Sequence, residues 1–189
     1  MRATDGDSIE CGVRRRLTRD DLRVFMTELA RAAPGRRSYS VYFVGGVTAV
    51  HSGWRESTID IDLTADDDAV FRDVQELKER LELNIEFARP EDFVPPLRGS
   101  SDRHLFIDTI GRVSFHHYDP YAQLLSKVVR GFNIDMQDAE NFIRSGMVDP
   151  ELFLSLVQGI PERSYAKYPT LTGQAVLDAV EDFVDRMTN

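Results

Sequence analysis

The chain has 189 residues, of which 42% are hydrophobic, and its formal net charge is −9. It is long enough to bury a sizeable core, either as one domain or as a core with a small second lobe. The single cysteine excludes an internal disulfide, and the acidic charge argues against broad, non-specific binding along a nucleic-acid backbone.

The charge is distributed unevenly. Residues 1–40 carry nine Lys and Arg against six Asp and Glu, whereas the remainder carries 14 against 26. A phosphate-bearing partner would most easily meet the arginines at 14–16 and 36–37, although a solvated basic terminus is the alternative. No apolar run approaches the roughly 18 residues that a membrane span needs. We therefore expect a cytoplasmic protein with no membrane partner.

The first part of the chain has the pattern of alternating helices and strands. Residues 1–16 predict a mobile arm or a short edge strand. A capping-box pattern at Thr18 opens a helix that ends at Pro34-Gly35. The predicted elements that follow are a buried strand over 39–44, a glycine turn, a short helix over 47–54, a second strand over 58–63, a helix to 83, a third strand over 84–88 and an antiparallel hairpin over 104–118.

From residue 119 the pattern becomes helical. Asp119-Pro120 supplies an N-cap and a first helical position. Helices are predicted from there to 131 and then over 135–144, 150–157 and 171–187. The hairpin makes the sheet mixed rather than doubly wound. The predicted fold class is α+β, with a mixed-sheet core over 1–118 and a C-terminal helical lobe over 119–189.

Two carboxylates lie one residue apart on the second predicted strand. Asp60 and Asp62 therefore face the same side of the sheet and can share a divalent cation. Glu86, on the third predicted strand, is a candidate third ligand. The alternative for all three residues is a solvent-facing strand.

The glycine turn before the short helix predicts a phosphate site. Gly45 and Gly46 leave backbone amides uncovered at a helix start, where the dipole favours an anion. Thr48 is small enough to let a phosphate approach. Arg55 can hold a phosphate through its fork of donors or lie on the surface. A plain strand-to-helix turn is the alternative, but a phosphate cradle beside a metal pair suggests a nucleotide.

These motifs resemble those of a known superfamily. The run Gly45-Gly46-Val-Thr48-Ala49, then Arg55, then Ser57-Thr58-Ile-Asp60-Ile-Asp62-Leu63 is similar to the first motif of the nucleotidyltransferase superfamily, in the form of the AbiEii/MenT-type toxins and their uncharacterised relatives. In the helical half, Lys127, Arg130 and Asp135-Met-Gln-Asp138 resemble the lysine and DxxD segment of those proteins. The resemblance spans roughly residues 40–145.

The resemblance implies a metal-dependent transfer of NMP from an NTP, such as ATP, to an acceptor hydroxyl. It implies Mg²⁺ or Mn²⁺, a tRNA acceptor, and a toxin–antitoxin system with a cognate antitoxin. The implied metal ligands are Asp60, Asp62 and Glu86; the implied nucleotide-binding residues are Gly45, Gly46, Thr48, Arg55, Thr58 and Lys127; and the implied catalytic residues are Asp60, Asp62, Lys127 and Asp138.

Several implied roles have structural alternatives. Lys127 borders an apolar stripe and can instead extend from the helix edge into solvent. Asp135 can be a helix N-cap and Asp138 the third helical residue. Thr58 occupies a position that is phosphorylated in toxin relatives, where a phosphate would repel the triphosphate. His116 and His117 face opposite sides of a strand, and structural or surface roles are expected for them.

Two other functions stay open at the level of sequence. A small-molecule nucleotidyltransferase of the antibiotic-modifying kind would agree with the acidic surface. A catalytically degenerate nucleotidyltransferase-like binding protein would agree with the lack of an evident third metal carboxylate.

Overall fold

The computed structural model describes residues 15–188 of the chain. The predicted N-terminal arm, with Cys11 and Arg14, falls almost entirely outside this range. In chain order the strands and helices are β1 (Leu17–Thr18), α1 (Arg19–Ala32), β2 (Tyr39–Val44), α2 (Gly46–His51), β3 (Ser57–Thr58), β4 (Asp60–Ala65), α3 (Val74–Leu81), β5 (Asn84–Phe87), β6 (Leu105–Ile110), β7 (Val113–His117), α4 (Pro120–Arg130), α5 (Asn133–Arg144), α6 (Pro150–Gln158) and α7 (Gly173–Thr188).

The fold is mixed α+β, as predicted. A five-stranded sheet has the order β5-β4-β2-β7-β6, and β1 and β3 form a separate antiparallel pair. In the larger sheet β2 lies antiparallel to β4 and parallel to β7. Strands β4 and β5 are parallel, and β6 and β7 form the predicted antiparallel hairpin. Because its strands run in both directions, the sheet is not doubly wound.

Local sequence signals set the starts of two key helices. Thr18 caps α1 in a reciprocal capping box with Asp21, whose backbone N donates to Thr18 Oγ1 at 3.3 Å. Asp119 caps α4, where its side chain accepts a bond from the backbone N of Tyr121 at 3.0 Å and Pro120 takes the first helical position. Both helices therefore begin where the sequence predicts.

The two faces of the sheet have different roles. Val41, Phe43, Ile61 and Leu63 are fully buried in the cluster that also contains side chains of α1 and α3. Since side chains alternate along a strand, the residues between them face the other side. That second face carries Asp60 and Asp62 on β4.

Two hydrophobic clusters form the interior of the described residues. The first contains the sheet and α1. The second contains helices α4 to α7, with Phe142, Phe153 and Phe183 almost fully buried. Val94 and Leu97, which precede residue 119, belong to the second cluster. The predicted domain boundary between residues 118 and 119 stays a prediction, because Val94 and Leu97 lie before it in the chain but pack with the helices that follow it.

The structure differs from the predicted elements in several places, of which three lie in the first part of the chain. The short helix ends at His51 rather than at residue 54. The second predicted strand is divided into β3, which pairs with β1, and β4. The predicted helix ending at residue 83 consists of a 3-10 turn, Asp68–Phe71, followed by α3. Across residues 15–188 no helix is long and apolar enough to cross a membrane.

Candidate active site

The turn between β2 and α2 needs glycine at both positions. Gly45 has φ of 63°, and a Cβ there would lie 2.7 Å from Asp62 Oδ2. A Cβ on Gly46 would lie 2.5 Å from Thr58 Oγ1 and 3.4 Å from Arg55 Nη1. Both distances to oxygen are shorter than a Cβ tolerates, so any larger residue must displace a neighbour. The turn thus brings Asp62, Thr58 and Arg55 together.

The amide of Gly45 is already paired within the protein. Its backbone N donates to Gln123 Oε1 at 2.9 Å, and Gln123 Nε2 donates to the carbonyl of Tyr118 at 2.8 Å. The predicted phosphate cradle therefore needs correction at Gly45, because its amide serves to join the turn to α4. Gln123 is not among the residues predicted for the site. Its signal is a polar residue at a buried position of an amphipathic helix, where a hydrogen-bond partner is expected.

The acidic side of the site is formed by β4 and β5. Asp60 and Asp62 lie on one face of β4, as predicted from their spacing, and Glu86 is the register partner of Asp62 on β5. Asn84 Nδ2 donates to Asp60 Oδ1 at 2.5 Å and to Glu86 Oε1 at 3.1 Å. Asn84, which is also not among the residues predicted for the site, thus holds one oxygen of each of these two carboxylates.

The environment of Asp62 favours a bound cation. Burial, together with the nearby charges of Glu86 and Asp60, raises the pKa of Asp62 to about 6, against the opposing effect of Arg130 and Lys127. A carboxylate that is desolvated and surrounded by like charge binds either a proton or a cation more readily than one in water. Asp62 is therefore the strongest candidate ligand in the site.

The third metal ligand predicted at Glu86 stays a prediction. Among the described residues no three His, Cys, Asp or Glu side chains converge into a metal-binding group. One oxygen of Asp60 and one of Glu86 each accept a bond from the Asn84 amide. Asp60 and Asp62 nonetheless suit Mg²⁺ or Mn²⁺, since these ions prefer oxygen ligands and Mg²⁺ is usually held by one or two carboxylates with substrate phosphates and water.

The opposite side of the site is a buried ionic network. Lys127 is 3% exposed, and its Nζ donates to Asp135 Oδ1 at 3.2 Å and to Asp138 Oδ2 at 2.7 Å. Arg130 donates from Nε and Nη2 to Asp135 at 3.1 and 2.8 Å. Arg55 donates from Nε to Asp138 Oδ1 at 2.9 Å. Three cations thus share two carboxylates, which leaves one unit of positive charge in the network.

The network revises the helical roles predicted for two acids. Phe132, not Asp135, is the N-cap of α5, so Asp135 is the third helical residue. Asp135 and Asp138 are both buried and both accept bonds from cations. Their helical spacing of three places them on one face of α5, toward α4. Asp138 binds and orients Lys127.

A cleft of about 370 Å³ lies between the two sides. The residues of the predicted site that line it are Gly45, Gly46, Arg55, Thr58, Asp60, Asp62, Glu86, Lys127, Arg130 and Asp135. Asp138 lies behind Lys127 and Arg55 and positions both of them. The cleft therefore has carboxylates on its sheet side and cations on its helical side.

Thr48 lies outside the cleft, so its predicted contact with phosphate is not supported. Its side chain is fully buried, donates to the carbonyl of Phe43 at 3.4 Å and lies 3.2 Å from His117 Nδ1. His117 Nε2 lies 3.0 Å from His51 Nδ1. Burial lowers the pKa of His117 to about 3, with smaller contributions from His51 and His116. This group of side chains has a structural role, as expected for His117.

Comparison of the chain with protein-family models, with curated proteins and with solved structures finds no match. The resemblance to nucleotidyltransferases therefore rests on the motifs themselves, and the function has to be argued from the geometry of the cleft.

Proposed function

We propose that the protein is a metal-dependent nucleotidyltransferase, which transfers NMP from an NTP to an acceptor hydroxyl. One observation carries the proposal: a carboxylate pair and a cationic wall face each other across a single cleft. Carboxylates that bind a divalent cation and cations that bind phosphate are the two components that phosphoryl transfer requires. The order of these residues in the chain also agrees with the nucleotidyltransferase motifs.

Each side of the cleft has a separate task. Asp60 and Asp62 hold Mg²⁺ or Mn²⁺, which when bound offsets the charge of the triphosphate and of the leaving pyrophosphate. Arg55 Nη1 faces the turn at Gly46, where it can donate to a phosphate oxygen while its other nitrogens stay bound to Asp138. Lys127 and Arg130 extend the phosphate-binding surface on the opposite wall.

The acceptor hydroxyl and the biological context rest on the motif resemblance. By that resemblance the acceptor is tRNA and the protein is the toxin of a toxin–antitoxin pair. The exposed arginines near the start of the described chain, Arg15, Arg16, Arg36 and Arg37, offer cations to RNA phosphates. Two of them already form ion pairs, Arg15 with Asp21 and Arg37 with Asp67.

A second candidate acceptor is a cationic small molecule that bears hydroxyls. The net charge of −9 favours a positively charged partner. In addition, a second cleft of about 520 Å³ shares Ala88 and Arg89 with the first and is lined by Asp68 and Asp92. An amine-bearing acceptor in this second cleft would be next to the triphosphate. The third candidate, a binding protein without turnover, is favoured because no third metal ligand is grouped with Asp60 and Asp62 among the described residues.

One labelling experiment separates these candidates. The protein is incubated with Mg²⁺ and each of the four α-³²P-labelled NTPs, in parallel with total RNA and with a panel of aminoglycosides. Label on RNA supports the tRNA acceptor, and label on an aminoglycoside supports the small-molecule acceptor. Calorimetric NTP binding with no labelled product supports the binding protein.

Matched substitutions connect any activity to the cleft. Asp60→Asn and Asp62→Asn are expected to abolish labelling, because each removes a metal-binding oxygen. Asp108→Asn, on the exposed edge strand β6, is the control and is expected to label as the wild type does. Labelling that survives both cleft substitutions would contradict the proposal.

A further inference from the structure

Three exposed apolar side chains line the cleft of the candidate site. Residues 15–188 contain eight large apolar side chains that are exposed, and three of them line this cleft: Phe93, Phe132 and Ile134, at 48%, 64% and 54%. Single exposed apolar residues are ordinary on a protein surface, whereas a group that lines one cleft indicates a binding surface. None of the three belongs to the predicted site.

The three side chains come from two separate segments, and Arg130 of the ionic network contacts both segments. Phe93 follows the 3-10 turn Pro90–Asp92, whereas Phe132 and Ile134 lie at the start of α5. The guanidinium carbon of Arg130 lies 5.6 Å from the centre of the Phe93 ring. Arg130 is in turn held by two bonds to Asp135 on α5. The position of Phe93 relative to α5 is thereby constrained.

The surroundings restrict what this surface binds. A ligand of the cleft meets carboxylates, cations, two aromatic rings and an aliphatic side chain. A ligand that suits all of these groups has an anionic, metal-binding part and a flat apolar part. A nucleoside triphosphate has this combination, and every nucleobase has a ring face that stacks on an aromatic side chain.

We infer that Phe93 and Phe132 form a nucleobase platform, which binds the base of the NTP by stacking while Ile134 contacts its edge. This inference deepens the proposed function and rests on it. The rings offer faces rather than hydrogen-bonding groups, so the platform distinguishes a nucleoside triphosphate from a bare polyphosphate. Base identity is not read by Phe93 or Phe132.

The test compares a triphosphate ligand that carries a nucleoside with one that does not. Inorganic tripolyphosphate and a non-hydrolysable ATP analogue are titrated calorimetrically into the full chain with Mg²⁺. The measured quantity is the ratio of the two Kd values, tripolyphosphate over analogue. In the wild type we expect a ratio of about ten or more, given the usual strength of base–aromatic stacking.

Four variants locate the effect. Phe93→Leu and Phe132→Leu should each lower the ratio at least about fivefold, and Phe132→Leu should leave the Kd of tripolyphosphate unchanged. Phe132→Trp retains an aromatic face and should retain the ratio. Phe106→Leu is the matched control, because Phe106 is also 64% exposed but lies on β6 away from the cleft. Upfield shifts of the adenine protons in the bound analogue provide a second readout of stacking.

The outcomes separate the platform from the proposed function. If the wild type binds tripolyphosphate as tightly as the analogue, or if the Phe93 and Phe132 variants keep the wild-type ratio, the platform is overturned while the phosphate site stands. If the ratio behaves as expected but no labelled product forms, transfer activity is overturned while the platform stands. Binding of neither ligand by the wild type overturns both.

Discussion

The guanidinium of Arg55 and the carboxylate of Asp138, which are 83 positions apart in the chain, form a two-point ion pair. Arg55 Nε donates to Oδ1 at 2.9 Å while Nη2 donates to Oδ2. The same Oδ2 accepts a bond from Lys127 at 2.7 Å. Asp138 therefore joins the segment after α2 to both α4 and α5, and it fixes two of the cations that border the cleft.

Removal of the Asp138 charge should destabilise the fold strongly. In Asp138→Asn the buried Lys127 loses its closer partner and Arg55 loses a two-point contact. Breaking a buried ion pair by removing one partner typically costs about 3–5 kcal/mol, since the remaining charge stays buried. Urea unfolding measures the free energy of unfolding.

The control for this variant lies on the same helix. Glu140 pairs with Arg144 across one turn of α5, with both side chains exposed. Glu140→Gln should change the free energy of unfolding by no more than about 0.5 kcal/mol, as for other exposed pairs. Equal effects of the two substitutions would contradict a structural role for the buried network.

Asp62→Asn should stabilise the protein at neutral and alkaline pH. The pKa of Asp62 is raised from 3.8 to about 6 in the folded state. The folded protein therefore binds this proton more tightly than the unfolded chain, so wild-type stability falls as the pH rises from about 4 to about 6. Above about pH 6 the charged carboxylate lowers the free energy of unfolding by about 1–3 kcal/mol. Urea unfolding from pH 4 to pH 8 should show the variant gaining stability relative to the wild type across this range.

Asp108→Asn serves as the comparison for the pH series, because Asp108 is exposed on β6. It should follow the wild-type pH dependence. If the free energy of unfolding of Asp62→Asn also changes with pH as that of the wild type does from pH 4 to pH 8, the pKa of Asp62 is not raised.

Binding of Mn²⁺ should strengthen with pH until about pH 6. Below the pKa of Asp62 a proton competes for the carboxylate, so Kd should fall about tenfold per pH unit and then level off. Electron paramagnetic resonance of free Mn²⁺ measures the affinity directly. Asp62→Asn should bind more weakly and lose this dependence. A wild-type Kd that is constant from pH 5 to pH 7.5 would argue against Asp62 as a ligand.

Gly45→Ala should impair the site as well as the stability. At φ of 63° and ψ of −129° the backbone of Gly45 lies in the mirror-β region, which glycine adopts readily and alanine does not, and the new Cβ would also collide with Asp62 Oδ2. Gly53→Ala is the control. Gly53 has φ of 80°, and a Cβ added there would have nothing within 4 Å, so this substitution adds backbone strain without a collision. Mn²⁺ affinity should fall in Gly45→Ala and stay at the wild-type value in Gly53→Ala. Loss of affinity in both variants would assign the effect to general destabilisation.

The sequence alone determined the features that depend on neighbouring residues. The period of two along a strand put Asp60 and Asp62 on one face, and capping residues located the starts of α1 and α4. Alternation and turn residues also indicated the hairpin and with it the mixed sheet. These signals act over a few positions, so they can be read without knowledge of the fold.

Only the tertiary structure decided what each candidate side chain contacts. The backbone N of Gly45 donates to Gln123, which is 78 positions away in the chain, and Asn84 donates to Asp60, which is 24 positions away. From local spacing alone, Gly45 is predicted to bind phosphate, and neither its bond to Gln123 nor the contact of Asn84 with Asp60 and Glu86 is visible. A hydrogen bond goes to whichever group the packing of the helices and sheet brings within reach, and that distance is set by the whole chain rather than by local spacing.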